Sequence, residues 1–128
     1  MPSSAIQFPT LDEVLHIHGR VIEAFGGSPG LHDPGMLESA VNRPQSGYYE
    51  GLPEMAAALF KSLLNNHSFV DGNKRVTFFA TGVFLRINGW RFEVGAQEGC
   101  HFIATSLSGS CANYDRLLTW IRESIRPL

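Results

Sequence analysis

The stretch NNHSFVDGNKR, residues 65 to 75, gathers a histidine, a carboxylate, an asparagine and two cations directly ahead of an apolar run. Each residue type has a distinct use. His67 is the one group there that titrates near neutral pH, so it can take a proton from an incoming hydroxyl. Gly72 removes bulk where a phosphate would approach the backbone, and Asn73 can donate its amide to a phosphate oxygen. Lys74 supplies a point charge and Arg75 a planar fork suited to phosphate. Asp71 would repel an anion, but makes sense as the ligand of a divalent cation such as Mg²⁺ that bridges carboxylate and phosphate. Base, metal ligand, anion cradle and cations are the parts of a phosphoryl or nucleotidyl transfer site. Singly, each has a blander use: Asp71-Gly72-Asn73 as a turn and cap, Lys74 and Arg75 as solvated charges, His67 as a helix end. Five together in this order favour a site.

These residues need a helix start behind them, where free backbone N–H groups and the positive dipole end favour anions. Residues 73 to 88 supply it. Val76, Phe78, Phe79, Ala80, Val83, Phe84, Leu85 and Ile87 are apolar on nearly all sides, which predicts a buried central helix stopped by Gly89. Ahead of the stretch, Pro53 opens a helix carrying Met55, Ala56, Leu59, Phe60 and Leu63 that runs out near Asn66. Thr10 and Glu13 have capping-box spacing, and Leu11, Val14, Leu15, His18, Val21, Ile22 and Phe25 form one helix face ended by Gly26-Gly27. His18, on that face, is expected to be a hydrogen-bonded core histidine. SPGLHDPG reads as a loop, from which Asp33 caps a short helix with Pro34 at its first position and Met36, Leu37, Ala40 and Val41 beyond. NRPQSGYYEGLP cannot be a regular helix and is expected to be an exposed hairpin or flap. WRFEV is a candidate extended piece and residues 96 to 107 a candidate helix. Asn113 caps a last helix whose stripe is Tyr114, Leu117, Leu118, Ile121 and Ile125. The fold class is all-α: a compact helical bundle around a buried central helix, in a single domain over residues 1–128, with a small flap or hairpin.

Composition narrows the function. A net charge of -2 provides no basic field for nucleic acid or an anionic membrane, so any anion must be bound locally. The longest apolar run, residues 76 to 87, is too short and too interrupted to span a bilayer. MPSSAIQFPT lacks the basic and apolar regions of a signal peptide. Cys100 and Cys111 match no metal or redox spacing, and a reduced, cytoplasmic setting is expected.

HSFVDGNKR resembles the signature of the Fic/Doc family, and its NKR ending resembles the death-on-curing (Doc) branch. GGSPGLHDPGMLESAVNRP is similar to that branch's upstream loop and helix, and VFLRINGW to the end of its central helix. The resemblance covers roughly residues 11 to 95. It implies the Fic/Doc fold, with His67 as general base, Phe69 anchoring the loop in the core, and Asp71 holding Mg²⁺. Gly72, Asn73, Lys74 and Arg75 would cradle the phosphates of ATP. Arg43, Pro44, Gln45, Ser46, Gly47, Tyr48, Tyr49, Glu50 and Gly51 lie where the family carries a flap that docks the target polypeptide by strand addition.

The resemblance further implies a toxin that transfers the γ-phosphate of ATP to a threonine or serine of a target such as elongation factor Tu, restrained by a Phd-type antitoxin. The AMP-transferring pattern of the family differs at two places. It has glycine where Lys74 stands and a second arginine where this chain has Phe78, which cannot hold a phosphate. AMP transfer to a protein hydroxyl is therefore the second reading, and a non-catalytic binding module the third. SGYYEG, residues 46 to 51, matches the short pattern of the family's self-inhibitory helix, but Gly47 and the flap position argue against a helix. Ser68, where many relatives carry proline or another small residue, is expected to be harmless.

Overall fold

The computed structural model describes residues 6–106 and 113–128; Cys111 and the predicted helix end at Leu107 lie outside them. Three helix starts follow directly from local side-chain chemistry. Helix α1 (Leu11–Phe25) begins with the reciprocal Thr10–Glu13 capping box, whose hydrogen bonds hold the Glu13 carboxyl below its ordinary range. Asp33 caps α2 (Pro34–Asn42) through the Met36 N–H, with proline in the first turn. Asn113 likewise caps α6 (Tyr114–Ser124).

Two buried helices share the centre. Helix α3 (Leu52–Asn66) packs against α2, α6 and α4 (Asn73–Arg86), and α4 packs in turn against α1 and α5 (Ala96–Ser106). Ala56, Ala57, Leu59 and Phe60 of α3 meet Val76, Ala80, Phe84 and Leu85 of α4 in one apolar cluster. The predicted central helix is therefore correct in place but is one of a central pair. Nor is it buried all round. Phe79 and Val83 remain partly exposed beside α1, and Ile87 lies beyond the helix end, 45% exposed.

The all-α class holds, with one small antiparallel pair, β1 (Trp90–Phe92) with β2 (Ile125–Pro127). The pair does not lie in the flap. There, Arg43–Gln45 form a single 3-10 turn and residues 46–50 carry no regular structure, so SGYYEG is not helical. Ile125, expected on the last helical stripe, is buried as anticipated but extended, because α6 ends at Ser124. Proline at 127 disfavours helical backbone at the residue before it, and strand pairing supplies the hydrogen bonds instead.

Candidate active site

The site is the connection between the two central helices. Helix α3 ends on His67, the one non-glycine residue with positive φ among the described residues (φ 47°, ψ 50°). Such left-handed backbone costs a side-chain-bearing residue about 1–2 kcal/mol, and it turns the chain sharply into the loop. The loop is braced from outside by the glycine-rich segment after α1. The N–H groups of His32 and Asp33 both donate to the Ser68 carbonyl (2.7 and 3.1 Å), and Val70 N–H donates to the Gly30 carbonyl (3.1 Å). Leu31 and Phe69 form a bridge between the two strands of chain.

From inside, the loop is pinned by three contacts. Phe69 is buried in the core and stacks on His18, ring centroids 3.9 Å apart. His18 is itself buried, and its Nε2 lies 2.8 Å from the Asp71 carbonyl, so Nε2 carries the proton. Asn73 clamps Phe69 at both backbone groups, accepting its N–H at Oδ1 (3.1 Å) and donating Nδ2 to its carbonyl (2.8 Å). The Asn73 side chain thus shapes the loop, with one amide hydrogen left over for a ligand.

Helix α4 then starts from Gly72, whose φ of +80° demands glycine. A β-carbon at Gly72 would point at Ile22, His18 and Val21 of α1, at 3.4 to 3.7 Å. Glycine is present for its backbone conformation, which corrects the expectation that it clears space for a phosphate. The backbone N–H groups of Asn73, Lys74 and Arg75 have no acceptor among the described residues, as befits a helix first turn.

His67, Asp71, Gly72, Asn73, Lys74 and Arg75 all line one open cavity of about 360 Å³, with Leu64 and Val70. Lys74 is exposed, and the Arg75 guanidinium rests 4.5 Å from the centre of the Phe25 ring. Phe69 does not line the cavity, in keeping with its place in the core. Cys100 on α5 also feels both cations: burial pushes its thiol up, while Arg75 and Lys74 pull it down by a smaller amount. Phe78 is buried, stacked on Phe92 at 4.7 Å and covered by Gly99, where any side chain would strike its ring. It does not line the cavity, and no second arginine stands in its place.

Asp71 fits the demands of a Mg²⁺ ligand. It is exposed, and its carboxylate accepts the Gly72 N–H at Oδ1 (2.9 Å) and the Ser28 N–H at Oδ2 (3.1 Å), which leaves about half its lone-pair positions free. No cluster of three or more His, Cys, Asp or Glu occurs among the described residues. A single carboxylate suits an ion that takes its remaining ligands from water and substrate phosphates. Two residues that hold Asp71 escape a reading of the signature alone. Ser28 donates to it, and Gly27 lets it approach, since a β-carbon there would lie 2.8 Å from Oδ2. Their sequence signals are the consecutive glycines after α1 and the similarity of GGSPGLHDPG to the upstream loop of the Doc branch, neither of which names Asp71 as the partner.

The flap residues lie apart from this cavity. Arg43 Nε donates to the Tyr49 hydroxyl (3.1 Å), Pro44 is buried, and Tyr48 is 81% exposed. Gln45, Ser46, Gly47 and Glu50 are exposed, and Gly51 is the residue before α3. No described helix is long and apolar enough to cross a membrane.

The chain is similar to known proteins over the part that contains this cavity. The family described as Fic/DOC matches residues 8–85, more than half of the chain. Toxin Doc of Mycolicibacterium smegmatis is 48% identical over 71 residues, covering 52% of this chain and 55% of that protein. Protein kinase doc of Escherichia phage P1 is 35% identical over 82 residues, covering 61% of this chain and 65% of that protein. The matched stretch thus spans between about half and two thirds of the length of these relatives. The family match includes every residue of the cavity and of the loop that braces it, and with these relatives it shows that the chain belongs to the Fic/DOC family, on its Doc branch.

Proposed function

We propose that this protein is a Doc-type toxin that transfers the γ-phosphate of ATP to a threonine or serine hydroxyl of a target protein. The observation that carries the reading is the single cavity that unites His67, Asp71 and the open first turn of α4. A ring nitrogen of His67 takes the proton of the target hydroxyl as its oxygen bonds to the γ-phosphorus. The bond from that phosphorus to the β–γ bridging oxygen breaks, and ADP leaves. The N–H groups of residues 73–75, with Lys74 and Arg75, hold the phosphate oxygens. Mg²⁺ held by Asp71 would offset phosphate charge when bound. Positioning and electrostatics supply most of the acceleration in this reaction class.

Phe78 supports γ-phosphate over AMP transfer. Its ring is buried and does not line the cavity, whose cations are Lys74 and Arg75. The names of the two relatives, a toxin and a protein kinase, point the same way. Elongation factor Tu is the first target to try, in a cytoplasmic setting.

A Phd-type antitoxin would complete the system. The groove between α1 and α4, about 410 Å³, is lined by Ile17, Val21, Phe25, Phe79 and Val83 and suits the apolar face of a helix. An antitoxin segment seated there would press on Phe25, the ring beneath Arg75. The test of the activity is incubation of the chain with a bacterial lysate and ATP labelled at either the α or the γ position. Label is expected on a protein band from γ-labelled ATP alone; α-label on the same band would replace this reading with AMP transfer.

A further inference from the structure

A second cavity, about 430 Å³, opens between α2, α3 and the flap and shares no lining residue with the nucleotide cavity. Its wall carries two cations, Arg43 and Lys61, together with Tyr48, Tyr49, Asn65 and Asn66, and it contains no carboxylate. Neither cation is ion-paired with any described carboxylate; the salt bridges of the described residues lie elsewhere. Arg43 is held in place by its Nε bond to the Tyr49 hydroxyl, which leaves its two terminal nitrogens free of partners among the described residues. Lys61 is half-buried on α3. The chain has a net charge of -2, so two unpaired cations converging on a carboxylate-free cavity are not a consequence of a basic surface.

We propose that this cavity is the subsite for an acidic side chain of the target polypeptide, close in sequence to the acceptor hydroxyl. The proposal rests on the reading of His67 as the base and the flap as the docking edge. Both borders of the cavity then belong to the target's path: Tyr48 and Tyr49 are in the flap, and Asn66 immediately precedes His67. From Lys61 to His67 is six residues, or about 9 Å at the helical rise. An extended peptide advances about 3.3 Å per residue, so it covers that distance in about three residues. A glutamate or aspartate two to four positions from the acceptor would reach Lys61 and Arg43 while its threonine sits at His67. A carboxylate gains charge-assisted hydrogen bonds there, and a basic side chain at the same position meets two like charges. The cavity would thus select among hydroxyls that the catalytic groups alone cannot distinguish.

The test uses the full chain and fluorescent synthetic peptides, extended and otherwise neutral, with one threonine and Glu, Gln or Lys placed two to four positions from it. Fluorescence anisotropy is expected to show the best Glu peptide binding about tenfold tighter than its Gln counterpart, with Lys weaker still. The gap should vanish in the Lys61→Met, Arg43→Met double variant, and Lys61→Glu should favour the Lys peptide. Both side chains reach solvent, so unchanged melting curves are expected to show that the variants are folded. Equal affinity for Glu, Gln and Lys peptides overturns the proposal, as does no binding by any peptide or a gap that survives the double variant. Displacement of the Glu peptide by ATP also overturns it, because the cavity would then hold nucleotide. Transfer from γ-labelled ATP to the same peptides is scored separately. A Glu preference in binding without transfer leaves the subsite standing and removes the phosphoryl-transfer reading.

Discussion

The Asp71 carboxylate accepts the backbone N–H of Ser28, 43 residues earlier in the chain, at 3.1 Å. That bond ties the proposed metal ligand to the loop after α1, and Gly27 permits it. A methyl group at Gly27 would sit 2.8 Å from Asp71 Oδ2, on a backbone with φ of +114°. Gly27→Ala is therefore expected to cost about 1–2 kcal/mol of stability. It should also weaken the Mg²⁺ dependence of ATP binding, read by calorimetry with and without Mg²⁺. Gly26→Ala, also at positive φ but with open space around it, should cost stability alone. Equal effects of the two on Mg²⁺ dependence would show that Asp71 is not positioned through Gly27.

Asn73 is expected to matter more for stability than its place in a binding motif implies. Asn73→Ala removes two hydrogen bonds to the Phe69 backbone, worth about 1–3 kcal/mol together. Thermal melting should show this loss without any nucleotide present. A variant as stable as wild type would mean that the loop holds its shape without the clamp.

Ser68 is buried, and its hydroxyl finds no partner among the described residues. An unsatisfied buried hydroxyl costs about 1–3 kcal/mol, so Ser68→Ala should raise the melting temperature while leaving ATP affinity unchanged. A lower melting temperature would place an ordered water or other partner on that oxygen.

Restoring the arginine of the AMP-transferring pattern should fail. Phe78 packs under Phe92 and Gly99 and does not line the cavity. Phe78→Arg would bury an unpaired charge and is expected to destabilise the fold by at least the about 3–5 kcal/mol that truncating a core phenylalanine costs. Denaturant unfolding measures the loss. A stable variant that transfers α-label would show that α5 can move aside to admit the side chain.

The parts of the fold set by neighbours three or four residues apart were legible in the sequence. Thr10 with Glu13, Asp33 with Met36, and Asn113 with Arg116 are such local caps. The apolar patterns of α3 and α4 placed the core and the turn between them. Long-range partners were not legible. No spacing rule links Gly27 and Ser28 to Asp71, or Gly30 to Val70, because those bonds depend on how α1 lies across α4. Ile125 shows the same limit in part: its hydrophobicity announced burial and Pro127 marked a nearby helix end, but the pairing with Phe92 that makes it a strand lies far away in the chain. The signature named the residues of the cavity, while the reason for Gly72, a left-handed helix start, lies in the backbone of the fold.

In the proposed reaction, His67 directs the γ-phosphate of ATP onto a target hydroxyl. Intact-mass measurement of purified elongation factor Tu after incubation with the chain, ATP and Mg²⁺ tests it most directly, with His67→Ala alongside. The expected result is a target heavier by one phosphate group with the wild-type chain and unmodified with His67→Ala, while calorimetry shows the variant still binding ATP. A target heavier by one AMP, or phosphate transfer undiminished in His67→Ala, would contradict it.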